Sequence, residues 1–228
     1  RRVVAFAQAV FTKKIEIEGV TGVLVNKEPC LIKKILEENK IAVVIDPKAA
    51  VQKIMKPDIV VDGILAKKNL GTKITDANLV IGLGPGFHAS KDVHYCIETM
   101  RGHKLAKVID KGSTEPDTGI PGNIEGFTKE RVIYSPISGI FHNKKNIGDK
   151  VSKNDIIGNI NNVNILAPLT GVIRGLIHSD IKCEKNMKIG DIDPRNKVEN
   201  CYQISDKARA VAGGVLEAIG RCYKFGIV

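Results

Sequence analysis

The strongest constraint on this chain is that part of it is written twice. SPISGIFHNKKNIGDKVSKNDIIGNI (Ser135–Ile160) aligns without a gap with APLTGVIRGLIHSDIKCEKNMKIGDI (Ala167–Ile192), 32 residues further on. Pro136/Pro168, Gly139/Gly171, Lys153/Lys185, Asn154/Asn186, Ile157/Ile189, Gly158/Gly190 and Ile160/Ile192 are identical. A segment this short cannot bury a core alone, so the two copies must pack on each other. Residues 132–193 show little helical periodicity and carry short β-type runs between Gly, Asn and Asp. Matching sets of short strands predict a pseudo-twofold β-sandwich.

The region before the repeat has a different grammar. GVLV (Gly22–Val25), IAVVID (Ile41–Asp46), DIVVDGIL (Asp58–Leu65) and LVIGLG (Leu79–Gly84) are apolar runs of strand length. Leu31, Ile32, Ile35 and Leu36 recur at helical spacing between the first two, and Val51, Ile54 and Met55 between the second and third. Asp46-Pro47 reads as an N-cap followed by proline at the first helical position. Alternating strands and helices predict a parallel sheet with crossover helices, a Rossmann-like half. After the repeat, Ser205 caps a helix whose apolar stripe is Ala208, Val211, Val215, Ala218 and Ile219. That helix is expected to fold back on the Rossmann-like half. The expected class is thus α/β plus β. The expected divisions are 1–131 Rossmann-like, 132–195 the β-domain, and 196–228 the returning helix.

Composition narrows the partners. Lys and Arg number 35 against 25 Asp and Glu, a net charge of +10, which favours anionic ligands or acidic surfaces. Nucleic acid is weakly supported, because there is no Trp and aromatics are only 4%, so stacking platforms are scarce. No apolar run reaches the length of a membrane span, and Arg1 to Phe11 has neither a long apolar region nor a small-residue cleavage site, so a secretory signal is not expected. Five scattered cysteines without a C-x-x-C pair fit reduced thiols in the cytoplasm.

The segment IGLGPGFHASKDVHYCIETMRGH (Ile81–His103) is the richest in chemistry. Gly82, Gly84 and Gly86 follow a strand and are expected to precede a helix, the setting in which backbone N–H groups and a helix N-terminus receive phosphate. Phe87 stands where G-x-G-x-x-G would have its third glycine, and no P-loop Lys follows. A tight turn around Pro85 is the plain alternative. With Ser90 as N-cap, His94, Glu98 and Arg101 would share one helix face, with His88 and His103 at its ends. Arg101 beside His94 and Glu98 argues against a metal, so no metal site is expected. Thr118 and Gly119, in the loop GSTEPDTGIPG (Gly112–Gly122), either offer donors to the same anion or belong to a linker. No residue stands out as catalytic.

Two resemblances add to this reading. The repeated P-x-[ST]-G-[IV] and basic-Asn-x-x-[IL]-G-x-I pattern resembles the biotinyl/lipoyl-like barrel-sandwich hybrid domain. The junction of the copies, NINNVNILAP, has no lysine, so a prosthetic-group carrier is not expected. GPGFHASKDVHYCIETMRGH, TGIPG, KIGDIDPR and ISDKARAVAGGVLEAI, in that order, resemble the selenium-dependent molybdenum hydroxylase accessory proteins. The resemblance implies a cytoplasmic maturation factor with a Rossmann-like and a biotinyl-like domain. It implies a molybdenum hydroxylase as client and an anionic small molecule as ligand, of which molybdopterin dinucleotide or another nucleotide is the candidate. Members of that family carry a further strand, Gly-rich loop and helix before the motif seen here as RRVVAFAQAV. The sequence is therefore expected to be a fragment or a truncated gene product, with an exposed sheet edge and poor solubility or lower stability than a full-length relative. Two other classes stay open: an NAD(P)-dependent oxidoreductase with His94 as acid/base, and a scaffold that binds only protein.

Overall fold

The computed structural model describes residues 2–223. Along the chain run α1 (Ala9–Thr12), β1 (Lys14–Ile17), β2 (Val20–Val25), α2 (Pro29–Glu37), β3 (Ile41–Val44), α3 (Val51–Met55), β4 (Ile59–Asp62), β5 (Leu79–Leu83), β6 (Tyr95–Ile97) and β7 (Val108–Ile109). There follow β8 (Val132–Tyr134), β9 (Gly139–Asn143), β10 (Lys150–Val151), β11 (Ile156–Ile160), β12 (Val163–Leu166), β13 (Gly171–Leu176), β14 (Ile181–Cys183), β15 (Lys188–Asp193) and α4 (Asp206–Cys222). They cluster into two compact units, each drawn from two stretches: 1–45 with 120–203, and 46–119 with 204–228.

In the first unit, β1 and β2 form an antiparallel hairpin, and β3 joins β2 in parallel. Glu18 and Gly19 turn the hairpin with φ of 47° and 83°, the left-handed pair that a two-residue turn needs to match strand twist. Pro29 opens α2, where its missing N–H costs nothing. The repeat builds two four-stranded antiparallel sheets, ordered β10-β13-β15-β8 and β12-β11-β9-β14. The copies are interleaved: β9 and β11 lie in one sheet with the second copy's β14 beside them, and β13 and β15 lie in the other with the first copy's β10. Each copy thus supplies strands to both sheets, and neither can close its core alone. Asn154 and Asn186, identical in sequence, both take left-handed backbone, with φ of 73° and 65°. Phe141, Ile157, Ile160, Ile173, Leu176 and Ile192 fill the core between the sheets.

In the second unit, β4, β5 and β6 are parallel and β7 returns antiparallel. Side chains alternate across β5 as a strand requires. Leu79 and Ile81 face α4, packing with Ile97, Val211 and Ala218, while Val80 joins Phe87, Val93 and Cys96 on the other side. Ser205 Oγ accepts the Ala208 N–H at 3.2 Å, giving α4 the cap read from the sequence. Gly214 lets α4 approach closely, because a Cβ there would stand 2.5 Å from the Ala106 carbonyl oxygen.

The expected class, a Rossmann-like parallel-sheet domain joined to a biotinyl/lipoyl-like barrel-sandwich hybrid, does not describe this chain. The molecule is mostly sheet, in four small sheets, of which two are wholly antiparallel and two are mixed. The strands read as one parallel sheet are divided: β2 and β3 belong to one sheet, β4 and β5 to another. Short apolar runs report burial without naming a partner strand, so periodicity could not reveal the division. β1, β6 and β7 were absent from the expected set, and β1 and β7 are the strands that make the sheets mixed. The helix after Asp46-Pro47 also starts late. α3 begins at Val51, whose N–H bonds Asp46 Oδ2 at 2.7 Å across the intervening turn.

Candidate functional site

The carboxyl ends of parallel strands are where open sheets present loops to ligands. In the second unit these ends carry Asp62 on β4, the glycine turn after β5, and Glu98-Thr99 after β6. Asp62 is buried and accepts from the Ile64 N–H at 3.1 Å and the Thr72 hydroxyl at 2.6 Å, so it fastens the loop that follows β4.

Each glycine of the turn has a protein neighbour where a Cβ would be. At Gly82 that neighbour is the Phe87 ring at 2.6 Å, at Gly84 the Thr99 hydroxyl at 2.5 Å, and at Gly86 the Lys68 backbone at 2.6 Å. Gly84 and Gly86 also hold φ of 74° and 113°. Phe87 is buried and plugs the turn from beneath. The glycines therefore let the turn pack against its own unit, and the Gly84 N–H is bonded to the Ile97 carbonyl at 2.9 Å.

The expected helix from Ser90 to Arg101 does not form. Residues 84–94 make turns, with Ser90 at φ 70°, and Tyr95–Ile97 is a strand beside β5. The Val93, Cys96, Ile97, Met100 spacing fits a helix, but pairing with β5 overrides that local preference and buries Cys96 and Ile97 on opposite faces. His94, Glu98 and Arg101 consequently do not share a helix face. His94 sits at the amino end of β6: its Nδ1 accepts from the Val80 N–H at 3.0 Å, and its own N–H donates to the Val80 carbonyl at 2.8 Å. Val80 lies four residues before Gly84, about 13 Å along the strand at ~3.3 Å per residue. His88 is half-buried in the turn, its Nδ1 2.7 Å from the Ala89 carbonyl and its N–H on Asp92 Oδ2 at 2.9 Å. His103 is exposed.

Glu98 and Arg101 do stay at the carboxyl end. Glu98 is 2% exposed and accepts from the Met100 and Glu115 N–H groups, both at 2.7 Å. That second bond draws the GSTEPDTGIPG loop over the strand ends. Lys104 Nζ grips Glu115 at 2.7 Å, and Lys67 Nζ reaches Asp117 at 3.3 Å. Thr118 and Gly119, in the same loop, are exposed, and Gly119 has φ 64°. Arg101 forms a two-bond fork to Asp206 at 2.6 and 2.7 Å, tying this end to the first turn of α4. The next residue, Lys207, is half-buried. Burial, with Lys67 and Arg101 close by, pushes its ammonium below the usual lysine range, and Glu98 pulls the other way. Lys207 thus lies near Lys67, Arg101 and the buried Glu98, with Asp117 and Asp206 already paired to the first two cations.

Lys67, Lys207, Glu115 and Asp117 escaped the sequence reading. Glu115 and Asp117 lie in the GSTEPDTGIPG loop and Lys207 in the ISDKARAVAGGVLEAI motif, but only the meeting of the β4 loop, the 112–119 loop and α4 brings them together with Lys67. Among the described residues no three His, Cys, Asp or Glu side chains are grouped to hold a metal. Among them, too, no helix is long and apolar enough to cross a membrane.

No protein-family model matches the chain. The Escherichia coli (strain K12) protein YqeB, itself uncharacterized, is 47% identical over 219 residues, covering 96% of this chain and 40% of that protein. The chain therefore spans about two fifths of the length of the curated relative it matches. Among solved structures, a succinylglutamate desuccinylase/aspartoacylase from Rhodobacter sphaeroides aligns at TM-score 0.27 and 14% identity, over 37% of this chain and 29% of that one. A succinylglutamate desuccinylase from Silicibacter sp. TM1040 aligns at TM-score 0.26 and 11% identity, over 53% and 45%. Scores this low bear on neither fold nor activity.

Proposed function

We propose that this chain is part of a cytoplasmic maturation factor for selenium-dependent molybdenum hydroxylases, and that its second unit holds an anionic nucleotide-type cofactor at the carboxyl ends of β4–β6. One observation carries the binding role: Lys67 and Arg101 are each paired with a carboxylate at those strand ends, whereas Lys207, half-buried beside both, has no ion pair among the described residues. A cation kept there against burial and repulsion is stabilised by an arriving anion. The maturation role rests on the four ordered motifs of the resemblance, with the client enzyme as partner. The geometry favours binding over hydride transfer, because His94, the acid/base of an oxidoreductase, is engaged with the Val80 backbone at the opposite strand end.

The test is calorimetric titration of the chain with molybdopterin dinucleotide, NAD and ATP, repeated on Lys207→Gln and Arg101→Gln. Binding by the parent is expected, weakened about tenfold by Lys207→Gln, as loss of one charge-assisted contact predicts. Absence of heat with all three compounds refutes the binding role. The client is tested separately, by whether the relative that spans this segment co-purifies with a molybdenum hydroxylase.

A further inference from the structure

In the first unit, three segments far apart in sequence converge on two buried carboxylates of β15. Asp191 is 3% exposed and Asp193 1%. Asp191 Oδ2 accepts from Arg2 Nη2 at 3.0 Å and from Arg131 Nη1 at 3.2 Å, so one oxygen serves two guanidinium groups. Arg131 is itself buried, and its Nη2 donates to the Gly122 carbonyl at 3.1 Å. Asp193 is forked by Arg195 at 2.9 and 2.6 Å, with Arg174 at 3.6 Å. Lys188, on the same strand, lies in the field of Asp191, Arg2 and Arg131.

Four arginines therefore pair with two carboxylates, and Lys188 lies in their field as a fifth cation. Burial, then repulsion from Arg2, depresses Arg174 below its usual range, and Lys188, although an exposed residue, is lowered in the same direction by partial desolvation and by Arg2 and Arg131. Two guanidinium nitrogens, Arg2 Nη1 and Arg131 Nε, are buried without a hydrogen-bond partner. Buried donors are paired in nearly all native structures, and both orphans belong to the two arginines that must share one aspartate oxygen. A charge excess alone would suit a solvated surface. A charge excess with buried, unpaired donors is the environment an anionic acceptor would satisfy.

We propose that the Arg2, Arg131, Arg174 and Lys188 cluster binds an oxyanion of the phosphate type. An excess of three positive charges matches a multiply charged phosphoryl group better than a single carboxylate, and planar guanidinium forks match its oxygens. The cluster shares no residue with the strand-end cations Lys67, Arg101 and Lys207. Gly175 gives the cluster its room: a Cβ there would meet Asp191 Oδ1 and stand 2.6 Å from Arg2 Nη1, so the bare backbone admits that ion pair.

The probe is inorganic pyrophosphate, titrated calorimetrically into the whole chain, with inorganic phosphate and succinate as parallel arms. Arg2→Gln leaves Asp191 its Arg131 partner, and Arg174→Gln leaves Asp193 its Arg195 partner, so each variant keeps a buried carboxylate paired. Pyrophosphate is expected to bind at millimolar concentration or below, and about tenfold or more weakly to either variant, with Lys207→Gln unaffected. Circular dichroism identical to the parent confirms that each variant is folded; should Arg174→Gln fail this, Arg2→Gln alone decides. The proposal is overturned if pyrophosphate gives neither heat nor a rise in melting temperature, if folded Arg2→Gln binds as the parent does, or if succinate binds as tightly as pyrophosphate.

Discussion

Two adjacent glycines in α4 should respond in opposite directions to the same substitution. Gly213 has no atom within 4 Å of a Cβ position, whereas a Cβ at Gly214 meets the Ala106 oxygen at 2.5 Å and Ile97 Cγ2 at 2.9 Å. Gly→Ala inside a helix is favourable by about 1 kcal/mol when the methyl meets nothing. Gly213→Ala should therefore stabilise by about that amount. Gly214→Ala gains the same propensity, but the methyl must displace a backbone carbonyl, which cannot rotate away as a side chain would. Overpacking of this kind costs about 1–3 kcal/mol, and more when backbone must move, so the net effect is a loss of ~1–2 kcal/mol. The two variants should differ by about 2–3 kcal/mol, or roughly 5–10 °C in melting temperature. The assay is thermal and urea unfolding followed by circular dichroism at the helix band, to which the 17-residue α4 contributes most among the helices. If Gly214→Ala proves as stable as Gly213→Ala, α4 does not sit on the Ala106 carbonyl, and the placement of Arg101, Asp206 and Lys207 falls with it.

Three further outcomes follow from the same geometry. Of the five cysteines, Cys30 and Cys222 are exposed, and Cys96, Cys183 and Cys201 are buried. Burial pushes the Cys96 thiol up to about 11 and raises the other two in the same direction, so a thiol-disulfide reagent at neutral pH should consume two equivalents quickly and the rest only in denaturant; a native burst above two contradicts the burial pattern. Glu98→Gln leaves either the Met100 or the Glu115 N–H facing an amide NH₂, costing about 1–3 kcal/mol and releasing the 112–119 loop. Tryptic cleavage after Lys111 should accelerate, and an unchanged rate means the loop is held elsewhere. Burial raises the Asp193 carboxyl, but the Arg195 hydrogen bonds and the Arg195 and Arg174 charges outweigh it and hold the group below its usual value of 3.8. A depressed carboxylate stabilises the fold above its unfolded value and loses that contribution as pH falls through the folded one. The stability gap between the parent and Arg195→Gln should be largest near neutrality and shrink below about pH 3.8; a gap constant from pH 7 to 3 speaks against the pairing.

The sequence by itself determined the elements whose signals are local. The repeat announced paired β-modules, because identical glycines, asparagines and isoleucines at a fixed offset demand identical turns and core positions. Ser205 announced α4, because a cap and a 3.6-residue stripe lie within one short stretch. The turn at Gly82–Gly86 was visible too, though not its role in admitting Phe87, Thr99 and Lys68. What only the tertiary structure decided is which strand lies beside which. Val93 to Met100 has helical spacing, yet Tyr95–Ile97 pairs with β5 because an open strand edge offers backbone hydrogen bonds that a short helix could not match in the same place. That single choice moved His94 to one end of the sheet and left Glu98 and Arg101 at the other. The cation groups were equally hidden. Lys67 with Lys207, and Arg2 with Arg131 and Asp191, are separated by 129 to 189 residues. Electrostatic fields act through space over a few ångströms, and one-dimensional spacing holds no record of them.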